Sequence, residues 1–130
     1  MMFIEEEYSD KRVHFTVTCT TEGILKAVFT GSGSDMGTKT FIALVDKALE
    51  NFPNHLCVLM DLRKQTSVPL TTQLKMGKWL LTIKDRIKRI AILGGGKTAQ
   101  IVSKGANLQQ IRFFSNVEEE LIDPWFQGSD

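Results

Sequence analysis

Apolar and polar side chains alternate regularly from residue 13 onward. Between Val13 and Thr20 the odd-numbered positions are apolar, and the even-numbered positions are threonine or histidine. This period of two is typical of a half-buried β-strand, because successive side chains of a strand point to opposite faces of a sheet. The turn at 21–23 and the apolar stretch Ile24 to Phe29 predict a second strand that returns antiparallel to the first.

Segments whose apolar residues have helical spacing then alternate with short apolar runs along the chain. A helix is predicted after the loop 31–37, with Ser34 or Asp35 as its N-cap and Pro53 beyond its end. The apolar positions of this helix are Phe41, Leu44, Val45, Ala48, Leu49 and Phe52. Further strands are predicted at 56–60, 90–93 and 111–114, and a polar loop at 61–68.

Three more helices complete the predicted pattern. The first starts at Pro69, and its apolar stripe is formed by Leu70, Leu74, Leu80, Ile83 and Ile87. The second covers about 97–104, and the third follows a capping box of Ser115 and Glu118. In the third helix Val117, Leu121 and Ile122 are predicted to face inward, and Pro124 to kink or end the helix.

The predicted order β-β-α-β-α-β-α-β-α indicates an α/β fold. We expect a single-layer, mixed and mostly parallel sheet of four to five strands with about four helices. Residues 13–126 are predicted to form one domain, with 1–12 as an N-terminal extension and 127–130 as a C-terminal tail. The outer edge of the strand 13–20 is either exposed to solvent or free to pair with a second copy as a homodimer.

Composition narrows the class of protein without naming a substrate. The chain has 130 residues, 42% of them hydrophobic and 24% charged, which is ordinary globular usage. Sixteen basic and fifteen acidic residues leave a net charge of +1, so nucleic-acid binding by charge alone is excluded. The two cysteines, Cys19 and Cys57, are predicted to be buried thiols, and no metal site or cofactor is expected because no ligand spacing occurs.

The N-terminus and the apolar runs bear on location. Glu5, Glu6 and Glu7 stand where a signal peptide would be apolar. No apolar run approaches the length of a membrane helix. We therefore expect a cytoplasmic protein without membrane insertion.

Ligands of open α/β sheets gather beyond the carboxyl ends of the parallel strands. The loops predicted there are 31–37, 61–69, 94–98 and 115–116, and most are rich in Gly, Ser or Thr. The candidate ligand or anion contacts are Ser32, Gly33, Asp61, Gly95, Gly96, Lys97 and Thr98. The alternative is that these residues serve only as the turns and caps that short loops require. A true P-loop is excluded, because its first glycine would fall on Ala91 within a strand.

The sequence gives little indication of a catalytic site. Neither His14 nor His55 lies in a recognisable motif with a nucleophile, so we do not expect an enzyme. A basic segment runs from the second predicted helix to the strand after it: Lys75, Lys78, Lys84, Arg86, Lys88 and Arg89. This segment is either a docking face for an acidic partner or a solvated helix face.

Three segments carry a resemblance to a known family. They are Val58-Leu59-Met60-Asp61-Leu62, Trp79-Leu80 leading to 89–93, and 111–115 leading to an acidic final helix with Trp125. The chain resembles the STAS/SpoIIAA-like group, small bacterial α/β domains related in fold to anti-sigma factor antagonists. The resemblance implies a regulatory or binding role. Antagonist members carry a phosphorylatable serine in an Asp-Ser-Ser-Gly motif; this chain lacks the motif, but Thr66 and Ser67 lie in about the same place.

Two functions follow as expectations. The first is a non-enzymatic regulatory or protein-interaction module that binds a protein partner through the rim at 61–72 and the neighbouring basic helix. The alternative is a domain that binds a small ligand, namely a nucleotide, another anion or a lipid head group, through the glycine loop 94–98.

Overall fold

Six strands form one sheet in the computed structural model, which describes residues 2–94 and 110–128. The strands are β1 (Met2–Ser9), β2 (Val13–Thr20), β3 (Ile24–Ser32), β4 (Cys57–Ser67), β5 (Arg89–Leu93) and β6 (Ile111–Phe114). The helices are α1 (Asp35–Asn51), α2 (Leu70–Ile83) and α3 (Ile122–Gln127), the last preceded by a 3-10 turn at Glu119–Leu121. The predicted helix at 97–104 lies outside the described residues.

The strands follow one another across the sheet in chain order. β1, β2 and β3 pair antiparallel, whereas β3, β4, β5 and β6 pair parallel. The predicted α/β class, with an antiparallel hairpin beside parallel strands, is confirmed. Among the described residues, no helix is both long and apolar enough to cross a membrane.

The predicted count of four to five strands was too low because β1 was missed. β1 pairs with β2 from Met2–Thr20 to Ser9–His14. Ile4 and Tyr8 provide its inward face, but the three consecutive glutamates between them hide the alternation. Since β1 covers β2, the strand 13–20 is not an edge of the sheet, and the predicted route to a homodimer through it was wrong.

The predicted polar loop at 61–68 was also wrong. β4 continues for six residues beyond Asp61, and β3 extends beside it, so that Thr30 pairs with Lys64 and Ser32 with Ser67. The exposed polar side chains at 63–67 obscured the strand. The backbone of this part of β4 is hydrogen-bonded to β3, which lies more than 30 residues earlier in the sequence.

The sheet separates two hydrophobic clusters. The larger one lies under α1 and α2 and contains the aromatic residues Phe15, Phe29, Phe41 and Trp79. The smaller one lies under α3 on the opposite face. Cys19 belongs to the larger cluster and Cys57 to the smaller, and both are buried free thiols as predicted. Trp79 is buried and Trp125 is half-buried.

Two predicted helix faces were partly wrong. The buried residues of α2 are Thr72, Trp79 and Ile83, whereas Leu70 and Leu74 of the predicted stripe are exposed. In the C-terminal segment only Ile122 is buried as predicted, whereas Val117 and Leu121 are exposed. Pro124 lies within α3 and does not end it, because a proline is tolerated in the first turn of a helix, where its missing N–H has no partner.

Candidate functional site

The ends of β3 and β4 bring four of the predicted site residues together. Ser32 pairs with Ser67, and the Gly33 amide donates to the Ser67 carbonyl at 2.9 Å. Thr66 and Ser67 are exposed at the end of β4, and α2 begins three residues after Ser67. A side chain at Gly33 would lie 3.1 Å from a methyl group of Val68, so this position is close-packed. These four residues therefore lie together at the carboxyl ends of β3 and β4, which we call the rim.

An aspartate that the sequence patterns did not single out joins the start of α1 to the turn between β1 and β2. Ser34 is the N-cap of α1: it accepts from the Gly37 amide at 3.0 Å and donates to Asp10 Oδ2 at 2.6 Å. The Asp10 carboxylate also accepts from the amides of Arg12 and Val13 and from the Tyr8 hydroxyl. The hydrogen bond from Ser34, followed by those from the amides and Tyr8, holds the pKa of Asp10 well below its ordinary value. The sequence feature that could have revealed Asp10 is its position in a short polar turn between two segments that contain apolar residues.

The first turns of α1 and α2 are connected. Asp35 accepts from the Thr72 hydroxyl at 3.4 Å and pairs with Lys75 Nζ at 3.3 Å. These contacts fix the start of α2 beside the start of α1. They also give Lys75 a carboxylate partner within the chain.

Asp61, a predicted ligand contact, is held by Arg63. The guanidinium donates to both carboxylate oxygens, at 3.0 and 2.7 Å, and to Glu119 at 3.1 Å. Partial burial raises the pKa of Asp61, but the hydrogen bonds and charge of Arg63 outweigh it and hold that pKa below its ordinary value. Asp61 is therefore paired with Arg63 within β4, six residues before the end of the strand.

Gly94 directly follows β5, beside this ion pair, at a position that requires glycine. Gly94 has a φ of +78°, and a Cβ there would lie 3.1 Å from Arg63 Cγ and from Asn116 Oδ1. This is a backbone conformation that glycine adopts at little cost. The remaining residues of the predicted glycine loop, Gly95, Gly96, Lys97 and Thr98, lie outside the described residues.

The predicted basic segment does not form one continuous face. Lys88 and Arg89 turn toward α3, where they donate to the carbonyls of Phe126 and Trp125. Lys75 pairs with Asp35. Lys78 and Arg86 are exposed on α2 and in the turn that follows it.

The outer face of α2 is apolar at three positions. Leu70, Leu74 and Leu81 expose 64%, 56% and 48% of their surface. With Lys78 they lie within about 80° of one another around the helix, since each residue advances by about 100°. We call these four residues the leucine face. The leucine face lines a cavity of about 740 Å³, together with Leu62, Met76, Ile92 and Phe113.

The histidines lie away from this rim. His14 is on β2, with its Nε2 3.7 Å from Glu7 Oε1, and His55 is exposed in the turn before β4. Within residues 2–94 and 110–128, no three side chains of the His, Cys, Asp and Glu types come close enough together to hold a metal ion.

Comparison with known proteins identifies the fold. No family model and no curated protein matches the chain. One similar solved structure is an uncharacterized protein of the DUF3478 family with a SpoIIAA-like fold, from Shewanella loihica PV-4. It has 17% identity and a TM-score of 0.64, over 92% of this chain and 98% of that one. Another is the anti-sigma factor antagonist SpoIIAA in its unphosphorylated form, with 14% identity and a TM-score of 0.62, over 88% of this chain and 99% of that one. The resemblance inferred from the sequence is confirmed at the level of fold: the chain has a SpoIIAA-like α/β fold.

Proposed function

We propose that this chain is a non-enzymatic regulatory module that binds another protein through the leucine face of α2 and the adjoining end of β4. The fold supports a binding role, because one of the similar structures is by name an antagonist of an anti-sigma factor, and so acts on another protein. Functions cannot be carried over from fold alone. The surface of α2 supplies the specific support for a binding role.

The exposed leucines carry the proposal. A single exposed leucine is ordinary in a soluble protein. Leu70, Leu74 and Leu81, however, share one face of a helix whose opposite face, at Trp79 and Ile83, is already packed on the sheet. Within residues 2–94 and 110–128 no side chain covers these leucines, and an uncovered apolar surface of this kind is typical of an interaction site.

The surrounding charge indicates what kind of partner fits. Lys78 lies within the leucine face and is exposed. A partner with apolar anchors and acidic residues around them would complement this surface. Rim charges of this kind contribute to specificity and association rate more than to affinity.

Ser67 and Thr66 are the proposed control point of this surface. Both are exposed, and α2 begins close after them. A phosphate there would add about −1.5 to −2 charges next to the leucine face. This would change the charge that an acidic partner meets.

The test uses the purified chain to recover its partner and then measures the affinity of the purified pair. Leu74→Asp and Leu81→Asp should each weaken binding at least tenfold, because a charge would have to be buried against the partner's apolar anchors. Val117→Asp is the matched control, since Val117 is 86% exposed and lies outside α2. Equal affinities for all three variants, with unchanged circular dichroism, would contradict the proposal. Ser67→Asp should alter the affinity and Ser67→Ala should not.

A small-ligand site is the second candidate, and the cavity beside α2 favours it. A volume of about 740 Å³ lies within the range of ligand pockets, and its lining combines apolar side chains with Thr66, Ser67 and Lys78. Thermal unfolding with ATP, GTP, phosphate and soluble phospholipids tests it, because a saturating ligand raises the Tm of such a domain by several degrees. A shift that disappears in Lys97→Ala would favour the glycine loop, and a flat panel would remove the candidate.

A further inference from the structure

The face of the sheet opposite α1 and α2 is covered by the C-terminal segment. We call its apolar sheet residues the back face: Cys57, Leu59, Ala91, Leu93 and Phe114. Ile122 and Phe126, one helical turn apart, pack on this back face and are each 2% exposed. The back face and these two residues form a cluster separate from the larger one under α1 and α2.

The C-terminal segment has little stability of its own. α3 has six residues and follows a three-residue 3-10 turn, which is too short to persist as a free helix in water. Neither element has a side-chain hydrogen bond at its N-cap. Its structure therefore depends on docking to the sheet.

Polar contacts hold the segment at both ends. At its start Glu119, whose side chain is 58% exposed, pairs with Arg63. At its end Lys88 Nζ donates to the Phe126 carbonyl at 2.8 Å. Arg89 donates to the Trp125 carbonyl and lies 5.0 Å from the centre of the Trp125 ring. Exposed ion pairs contribute little, so the two buried side chains carry most of the attachment.

We propose that residues 119–128 act as a strap that detaches from the back face while the six-stranded sheet, α1 and α2 stay folded. Detachment uncovers an apolar strip on the face opposite the leucine face. It also frees Lys88 and Arg89 beside this strip, whereas Arg63 loses Glu119 but stays paired with Asp61. Local opening of this kind requires few buried contacts and no crossing of the main core. The strap is a conformational device distinct from the interaction proposed for α2, and does not depend on it.

The two cysteines provide a direct test. Cys57 lies under the strap and Cys19 in the larger cluster. The wild-type chain is labelled with 4,4′-dithiodipyridine under native conditions, and labelling at each cysteine is followed by peptide mass spectrometry. Each rate is divided by the rate of the same cysteine in the urea-unfolded chain. Cys57 should label at least tenfold faster than Cys19. Equal protection of both cysteines, at the level set by global unfolding, would overturn the proposal.

Variants separate strap opening from general destabilisation. Phe126→Ala should speed labelling of Cys57 at least tenfold and leave Cys19 unchanged. Val45→Ala is the control, because Val45 lies in α1 and belongs to the larger cluster. This substitution should speed the labelling of both cysteines. If Phe126→Ala does not fold, Arg89→Gln serves instead, because it removes a polar contact of the strap. We expect it to speed the labelling of Cys57 a few-fold and to leave that of Cys19 unchanged. Parallel acceleration of both cysteines by the strap variants would show that the strap does not open separately.

Discussion

At the level of single residues, Asp10 joins the turn between β1 and β2 to the start of α1. Its Oδ1 accepts from the Arg12 and Val13 amides at 2.8 and 2.9 Å, and its Oδ2 from the Tyr8 and Ser34 hydroxyls at 2.7 and 2.6 Å. Charge-assisted hydrogen bonds of this length are stronger than neutral ones. One carboxylate thus orients both the hairpin and the N-cap of the helix.

Replacing Asp10 with Asn should reduce stability and remove part of its pH dependence. The folded pKa of Asp10 is depressed, so its contribution is fully present above the unfolded pKa of about 3.9. That contribution is lost as the pH falls toward the folded pKa. The urea midpoint of Asp10→Asn should therefore lie below that of wild type at pH 7, and the difference should shrink below about pH 4.

Asp85→Asn provides the matched control, because Asp85 is an exposed aspartate in the turn after α2. It should leave the midpoint nearly unchanged at both pH values, since substitutions of exposed residues away from special contacts have small effects. A difference between Asp10→Asn and wild type that stayed constant with pH would show that the charge of Asp10 is not what stabilises the fold.

At the level of elements, the strands depend on their neighbours more than on their own patterns. β1 contains three consecutive glutamates, yet it pairs along its length with β2 and buries Ile4 at 4% exposure. Tyr8 stacks on Phe15, with ring centres 5.1 Å apart. β1 is therefore an integral strand of the sheet.

Ile4→Ala tests this role of β1. The substitution should lower the free energy of unfolding by about 2 to 4 kcal/mol, the usual cost of removing a buried isoleucine side chain. Equilibrium urea denaturation measures the change. Glu6→Ala, on the same strand but exposed, is the control and should have a small effect. Equal and small effects of both substitutions would mean that residues 1–12 behave as the extension first predicted.

At the level of the whole molecule, the described sheet has two outer strands, β1 and β6. An outer strand offers unpaired backbone groups to other chains. Glu5, Glu6 and Glu7 are all exposed on β1. Pairing of two β1 strands would bring these like charges together, which is unfavourable. The glutamates that conceal the strand in the sequence thus protect its edge.

Neutralising the glutamates should expose this edge to self-association. The triple variant Glu5→Gln, Glu6→Gln and Glu7→Gln should form dimers at neutral pH, whereas wild type should sediment as a monomer of 14.6 kDa. Sedimentation velocity distinguishes the two states. The control has the same change in net charge away from the edge: Glu22→Gln, Glu50→Gln and Asp85→Asn. Dimers in both variants would indicate that the loss of acidic side chains in general, and not of those on the edge strand, allows the chain to associate.

The candidate site was predictable where local chemistry decides the structure. Ser34 was one of two predicted N-caps, and its hydrogen bond to the Gly37 amide confirms it. Ser115 and Glu118 are in contact, since the Ser115 amide donates to Glu118 Oε1 at 2.8 Å, but the prediction that they start a helix was wrong, because the 3-10 turn begins at Glu119. Arg63 and Asp10 were missed, because each owes its position in part to a partner distant in sequence. The leucine face was missed because helical spacing reveals apolar positions without showing which of them the core accepts.

The sequence alone was enough to predict the alternating face of β2, the buried parallel strands β4 and β5, the start of α1 at Ser34 and the two buried thiols. In each case the pattern along a few residues contains the reason, namely side-chain periodicity, a capping hydroxyl or an apolar run. Only the tertiary structure decided that β1 is a strand, that β4 extends to Ser67, and that α2 buries Trp79 and leaves Leu74 exposed. These outcomes depend on which neighbour supplies hydrogen-bond partners and which side of a helix meets the sheet, and both are set by contacts between segments far apart in the chain.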